Sequence, residues 1–303
     1  MPHQSDLFGS LEDPDRRPAR PARRSHIELV HGEFLATAPS TIADDSIDVV
    51  VTSPPYNFGI AYSTHRDDLP RDEYLAWTDR WTAQIQRCLA PGGSFFLNLG
   101  VRPTQPWAAW EVADVVRRRF TLQNVIHWIK SIAISKRDIG NYPGITRDVT
   151  VGHYKPINSD RFVNDQHEYI FHFTHSGHVE LDRLAIGVPY QDVSNAARWK
   201  KGGAGIHCRG NTWFLPYRTI KSRHKDRPHP ASFPSELPER CMRLHGLVQI
   251  RRTMDPFLGL GSTALAAARL GLDCVGFEID PAYLETARRR LAQESAEVRW
   301  TQT

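Results

Sequence analysis

Ser53-Pro54-Pro55-Tyr56 stands directly behind a β-branched run, Ile47-Asp48-Val49-Val50-Val51. An apolar run that stops at two prolines reads as a buried strand ending in a loop. A rigid proline turn is one use of such a loop, and its side chains offer another. An exocyclic amine on an aromatic base is a poor nucleophile, because its lone pair is delocalised into the ring. Acceptors that grip its two hydrogens help it turn pyramidal. The Ser53 hydroxyl and the Pro54 carbonyl can be those acceptors, two prolines pre-set the backbone, and Tyr56 offers a face for a base taken out of its stack.

A second constellation lies near the other end of the chain. Met254-Asp255-Pro256-Phe257-Leu258-Gly259-Leu260-Gly261-Ser262-Thr263 follows one expected strand and opens an expected helix, the setting in which close-spaced glycines admit a ligand to the backbone. Glycines also serve tight strand-to-helix turns for conformational reasons alone. Glu278, 17 positions past Gly261, ends the next strand, where a carboxylate can accept from both hydroxyls of a ribose. The third glycine of the dinucleotide fingerprint is missing, which lowers NAD or FAD and favours a single nucleoside such as S-adenosylmethionine.

The elements that must position these residues follow from periodicity. Order is expected from Ile27-Glu28-Leu29-Val30 onward. Tyr74, Trp77, Trp81, Ile85, Cys88 and Leu89 recur at helical spacing ahead of the turn Pro91-Gly92-Gly93 and the strand Ser94–Leu99. Helix 107–118 and strands 124–129 and 168–173 continue a mixed pattern. After 229 it resumes as helix 235–245, strand 247–254, helix 261–270, strand 274–278 and helix 281–292. The expected fold class is α/β, a mostly parallel sheet flanked by helices. Between these blocks, 131–165 and 180–230 lose periodicity and gather Gly, Pro, Asn and basic residues, a pattern of functional or mobile loops.

Taken together, Thr52 to Tyr56 early and Phe257 to Gly261 late resemble the amino-methylating DNA methyltransferases of the circularly ordered class called beta. The resemblance covers roughly residues 26 to 292 and implies a Rossmann-like S-adenosylmethionine-dependent methyltransferase fold. It divides the chain into a tail over 1–25, a catalytic half over 26–179, a DNA target recognition region over 180–228 and a cofactor-binding half over 229–303. It implies catalytic roles for Ser53, Pro54, Pro55 and Tyr56. It places Asp255, Phe257, Gly259, Gly261, Ser262, Thr263 and Glu278 at the cofactor, with Glu33 and Phe34 in a turn beside the adenine. In that family an Asp is commoner at Glu33, and Lys is common where Phe233 stands in His229–Pro234. The implied reaction binds double-stranded DNA, flips the target base and moves a methyl group in line, leaving S-adenosyl-L-homocysteine and using no metal. Ser at the first motif position goes mostly with cytosine N4 and Asp with adenine N6, so cytosine N4 is expected and adenine N6 is the alternative. A homodimer and a partner restriction endonuclease are further implications of the likeness.

Charge places the nucleic acid. The net charge is only +4, yet from Arg198 to Arg227 nine Lys or Arg face a single acid, Asp226. Arg198, Lys200, Lys201, Arg209, Arg218, Lys221, Arg223 and Lys225 are the candidate DNA contacts. The first 25 residues carry Arg16, Arg17, Arg20, Arg23 and Arg24 with little to bury, and read as a disordered tail. With 40% apolar and 24% charged residues over 303, a sizeable core is expected.

Competing chemistries leave weaker traces. Cys88, Cys208, Cys241 and Cys274 have no paired spacing, so neither disulfides nor a zinc knuckle is indicated, and none follows a proline as carbon-5 methylation of cytosine usually requires. His172, His175 and His178 alternate faces badly for a metal. Trp77, Trp81, Trp107 and Trp110 are expected in the core. With no long apolar run and no signal segment, a reducing cytoplasm fits. A catalytically silent DNA-binding module or an RNA or protein methyltransferase would share parts of the pattern. The intact motifs, their reversed order and the basic insertion disfavour both.

Overall fold

In the computed structural model, which describes residues 24–62, 64–142, 144–152, 159–190, 205–216 and 232–302, the first half runs through β1 (Ser25–His31), α1 (Phe34–Thr41), β2 (Ile47–Thr52), α2 (Arg71–Cys88), β3 (Leu89–Leu99), α3 (Ala108–Val116) and β4 (Thr121–Ile129). A small ladder of β5 (Ile132–Ile134) and β6 (Val149–Val151) encloses the short α4 (Lys136–Ile139), and β7 (His167–Thr174) follows. A second small ladder pairs β8 (Val188–Pro189) with β9 (Ile206–His207) before β10 (Thr212–Phe214). The chain closes with α5 (Glu236–His245), β11 (Arg252–Asp255), α6 (Ser262–Arg269), β12 (Asp273–Glu278), α7 (Pro281–Leu291) and β13 (Ala296–Gln302).

Nine strands form one sheet in the order β10-β4-β7-β3-β2-β11-β12-β1-β13. Every neighbouring pair is parallel except the two made by β7, which runs against β3 and β4. This is the mostly parallel, helix-flanked Rossmann-like architecture. Alternation along β2 sets its layers: Val49 and Val51 pack toward α5, α6 and α7 and Val50 toward α1, α2 and α3, a layer that Ile47 joins across the register irregularity between Ile47 and Val49. The Ala-rich α6 is almost wholly buried, which lets it lie close against the sheet.

Local chemistry sets the helix starts. Asp280 caps α7 by accepting from the Ala282 N–H at 2.8 Å, Pro281 opens the first turn, and Arg288–Arg290 close it near the negative end of the helix dipole. Gly261 precedes α6 in the left-handed conformation, φ 77°, and a Cβ there would meet Ala287 Cβ at 2.8 Å.

Several expectations are corrected. Residues 247–254 are not a single strand: Leu247–Gln249 form a 3-10 turn with Val248 exposed, and only Arg252–Asp255 join the sheet. Pro91-Gly92-Gly93 lie within β3, where its register against β2 shifts. Helix α1 forms despite Pro39, and β13 adds an edge strand beside β1. The compositionally distinct stretch 180–228 sends β10 into the main sheet, with fully buried Trp213 opposite Trp128. Trp107 is 70% exposed and Trp110 39%, so neither lies in the core. Among the described residues no helix is long and apolar enough to cross a membrane.

Candidate active site

Adjacent parallel strands β2 and β11 deliver both sequence motifs to the same edge of the sheet. From β2 the chain crosses to β3 through α2 on one face, and from β11 to β12 through α6 on the other. A crevice opens where the connections diverge, at the carboxyl ends of the strands. Asp255 ties the two loops together. Its Oδ1 accepts from Thr52 Oγ1 at 2.6 Å and from the Phe257 N–H at 3.1 Å, while Oδ2 accepts from Thr263 Oγ1 at 2.7 Å. Burial pushes the Asp255 carboxyl up to about 6 against these bonds. Asp255, Gly261 and Thr263 thus shape the cleft without lining it, whereas Phe257, Gly259, Ser262 and Glu278 line it.

The cleft encloses about 1030 Å³ including its open mouth, and Ser53, Pro54, Pro55, Tyr56, Glu33 and Phe34 line it as well. Glu278 sits on its floor with Oε2 accepting from the Gly259 N–H at 2.8 Å and Oε1 from the Asp280 N–H at 2.9 Å. Burial raises its pKa, and these backbone donors oppose the shift. A carboxylate has about four acceptor positions, so it keeps capacity for a further donor. Glu33 caps α1, accepting from the Ala36 N–H at 2.9 Å, and Phe34 packs edge-on to Phe277 at 5.1 Å. The apolar flank continues through Trp77, whose ring lies 5.4 Å from Phe257.

On the Ser53–Tyr56 side the Pro55 carbonyl accepts from the buried Tyr74 hydroxyl at 2.8 Å. Among the described residues no donor takes the Pro54 carbonyl. Asn57 then turns the chain at φ 59°, and buried Asp67 gathers the N–H groups of Asn57, Phe58 and Ile60 within 3.0 Å. That loop carries Tyr62 and His65 over the cleft. Burial raises the Tyr62 phenol well above its ordinary range, helped by Asp67, Tyr283 and Glu278, and it stays neutral. Gly100 lets Tyr56 lie across the end of β3, since a Cβ there would stand 2.9 Å from Tyr56 Cε2.

Three residues that sequence reading missed complete the site. Asn98 Nδ2 donates to the Tyr56 oxygen at 2.8 Å and to Glu168 Oε2 at 2.7 Å, and Lys130 Nζ reaches Glu168 Oε1 at 3.0 Å. Their signal was faint: a lone amide inside the apolar run 94–99, and a charge at one end of each of two apolar strands.

A family model described as DNA methylase matches residues 47–289. The chain belongs to the N6/N4 DNA methylase family. This methylase is 28% identical over 289 residues to the type II methyltransferase M.ScaI of Streptomyces caespitosus, covering 89% of its own chain and 83% of the relative. Its fold is similar to that of the cytosine-N4-specific PvuII DNA methyltransferase, with TM-score 0.60, 20% identity and coverage of 88% and 87% of the two chains. A DNA modification methylase of Thermus thermophilus, solved with S-adenosyl-L-methionine, matches with TM-score 0.57 and 23% identity over 91% of this chain and 98% of that one.

Of the basic candidates in the methylase, Arg209 is half-buried and donates to the Ile186 carbonyl at 3.0 Å, and its burial lowers its pKa. Arg198, Lys200, Lys201, Arg218, Lys221, Arg223 and Lys225 lie outside the described residues, as does Trp199. His172 is buried between Ser94 and Asn124, His175 bonds the Leu89 carbonyl, and all four cysteines are free thiols. Among the described residues no group of three or more His, Cys, Asp or Glu gathers to hold a metal.

Proposed function

We propose that this methylase transfers a methyl group from S-adenosyl-L-methionine to the exocyclic N4 of cytosine in double-stranded DNA. The observation that carries this reading is a juxtaposition at one edge of the sheet. The Pro54 carbonyl, which no donor among the described residues takes, and the Ser53 hydroxyl face a cleft that the Glu278 carboxylate also lines.

The residues present fit the cofactor. Glu278 offers a carboxylate acceptor to a ribose diol, Phe34, Phe257 and Phe277 supply apolar faces, and Gly259 admits a ligand to the backbone. When bound, the cofactor supplies a methyl group on an already activated sulfonium. The chain's own task is to hold and polarise the amine. Ser53 Oγ and the Pro54 carbonyl accept its two hydrogens, which localises the nitrogen lone pair, and Tyr56 supports the face of the flipped base. The released proton passes to water. The basic residues of 198–227 neutralise DNA phosphates, and pairing with a restriction endonuclease fits the type II relative. Ser53 at the first motif position and the cytosine-N4 specificity of the PvuII enzyme support cytosine over adenine.

Mass spectrometry of nucleosides from DNA treated with the protein and S-adenosyl-L-methionine tests this directly. N4-methylcytosine is expected, and Ser53→Ala should lower its formation about 100-fold while leaving cofactor binding intact. N6-methyladenine would keep the mechanism and overturn the choice of base.

A further inference from the structure

We propose that Glu168, paired with Lys130, is a positioning residue that fixes the direction of the Tyr56–Ser53 hydroxyl chain, so that Ser53 Oγ meets the target amine as an acceptor. This rests on the amino-methylation reading of the site.

Glu168 lies near the start of β7, the one antiparallel strand among the pairs of the main sheet, so it arrives at the edge where β2 and β3 end. Its side chain is 12% exposed and that of Lys130 17%. Burial alone would raise its carboxyl, but Lys130 and the hydrogen bonds from Asn98, Lys130 and Tyr56 outweigh burial and hold it below the usual range. An ionised carboxylate only accepts. Tyr56 therefore gives its single hydroxyl proton to Glu168 Oε2 at 3.0 Å, in preference to the neutral Asn98 carbonyl at 3.3 Å. Ser53 Oγ stands 2.7 Å from the Tyr56 oxygen, and one of the two must donate. With the Tyr56 proton engaged, the donor is Ser53. Its only hydrogen then points at Tyr56, Asn98 Nδ2 approaches one lone pair at 3.4 Å, and the other lone pair meets the amine.

The Asn98 amide reports the same polarity. Its Oδ1 is buried with no hydrogen-bond partner among the described residues, a cost that the Nδ2 bonds to Tyr56 and the charged Glu168 must outweigh. Turning the amide over would bring Oδ1 against the Glu168 carboxylate in place of Nδ2. The negative charge thus orients the Asn98 amide as well as the Tyr56 hydroxyl.

The test is a double-mutant cycle on single-turnover methyl transfer. Glu168→Gln keeps the shape and removes the charge, and should lower the rate about 100-fold with the cofactor Kd nearly unchanged. In a Tyr56→Phe background, where the hydroxyl is gone, the same replacement should change the rate by less than about 3-fold. A full penalty in that background would make Glu168 structural and overturn the proposal, as would an undiminished rate in the single variant. Lys130→Met with Glu168→Gln removes both charges, leaves no buried ion unpaired, and should show the same loss if the single variant folds poorly. Methylation by the wild type with full activity in these variants would remove only the role of Glu168. A wild type that methylates no base would instead remove the proposed function.

Discussion

Gly100 shows how narrowly the residues of the site are fitted. Its missing side chain leaves the space that the Tyr56 ring occupies, with Tyr56 Cε2 2.9 Å and Glu168 Cδ 3.4 Å from where a Cβ would stand. An aromatic ring held by its own hydroxyl cannot yield by a simple rotamer change. Gly100→Ala should therefore displace Tyr56, cost about 1–3 kcal/mol of stability, and lower methyl transfer more than cofactor binding. Urea unfolding beside single-turnover kinetics would check both. Ser53 to Tyr56 and Phe257 to Gly261 were legible in the sequence because each works through consecutive residues. Asn98, Lys130 and Glu168 were not, because they meet only after β7 inserts antiparallel between β3 and β4, and no local spacing encodes that insertion.

At the scale of elements, buried polar contacts join β3, β7, β4 and α5. Ser94 Oγ lies 2.9 Å from His172 Nε2 and 2.9 Å from His245 Nδ1, and Asn124 Nδ2 lies 3.0 Å from His172 Nδ1. The Asn124 amide must donate, so His172 Nδ1 accepts, its Nε2 donates to Ser94, and Ser94 donates to His245. Both rings are neutral. Burial lowers His172 to about 3, with His245 adding to the shift, and lowers His245 to about 4 against the pull of Asp48. Below the ordinary histidine value of about 6.5 the unfolded chain therefore binds more protons than the folded one, and stability falls as pH drops through that value. Each ring should cost about 1.4 kcal/mol between about pH 7.5 and 5.5. His245→Gln should remove about half of this slope in urea midpoints measured across that window. The strands and helices that carry this contact were readable from periodicity. What escaped was shorter or less regular: α1 carries Pro39, and β13 is an edge strand with only partial burial.

Across the whole molecule, the fold resolves a long separation in sequence. The Ser53–Tyr56 and Phe257–Gly261 motifs stand about 200 residues apart, yet β2 and β11 are hydrogen-bonded neighbours, and Asp255 bridges their loops. Chain order is thus immaterial to the cleft so long as these strands pair in parallel. On the proposed function DNA must reach that edge, and the sequence gathers nine basic residues against one acid between Arg198 and Arg227. Each phosphate neutralised releases counterions, so the logarithm of affinity should fall with the logarithm of salt by about 0.9 per phosphate. Neutralising Arg218, Lys221, Arg223 and Lys225 together should weaken DNA binding at low salt and flatten this slope by about 0.9 for each phosphate no longer neutralised, with cofactor affinity unchanged. Fluorescence anisotropy of a labelled duplex across a salt series measures both quantities. An unchanged slope would move the phosphate-binding surface elsewhere, while a flattened slope with intact cofactor binding would tie DNA capture to this stretch and methyl transfer to the sheet edge.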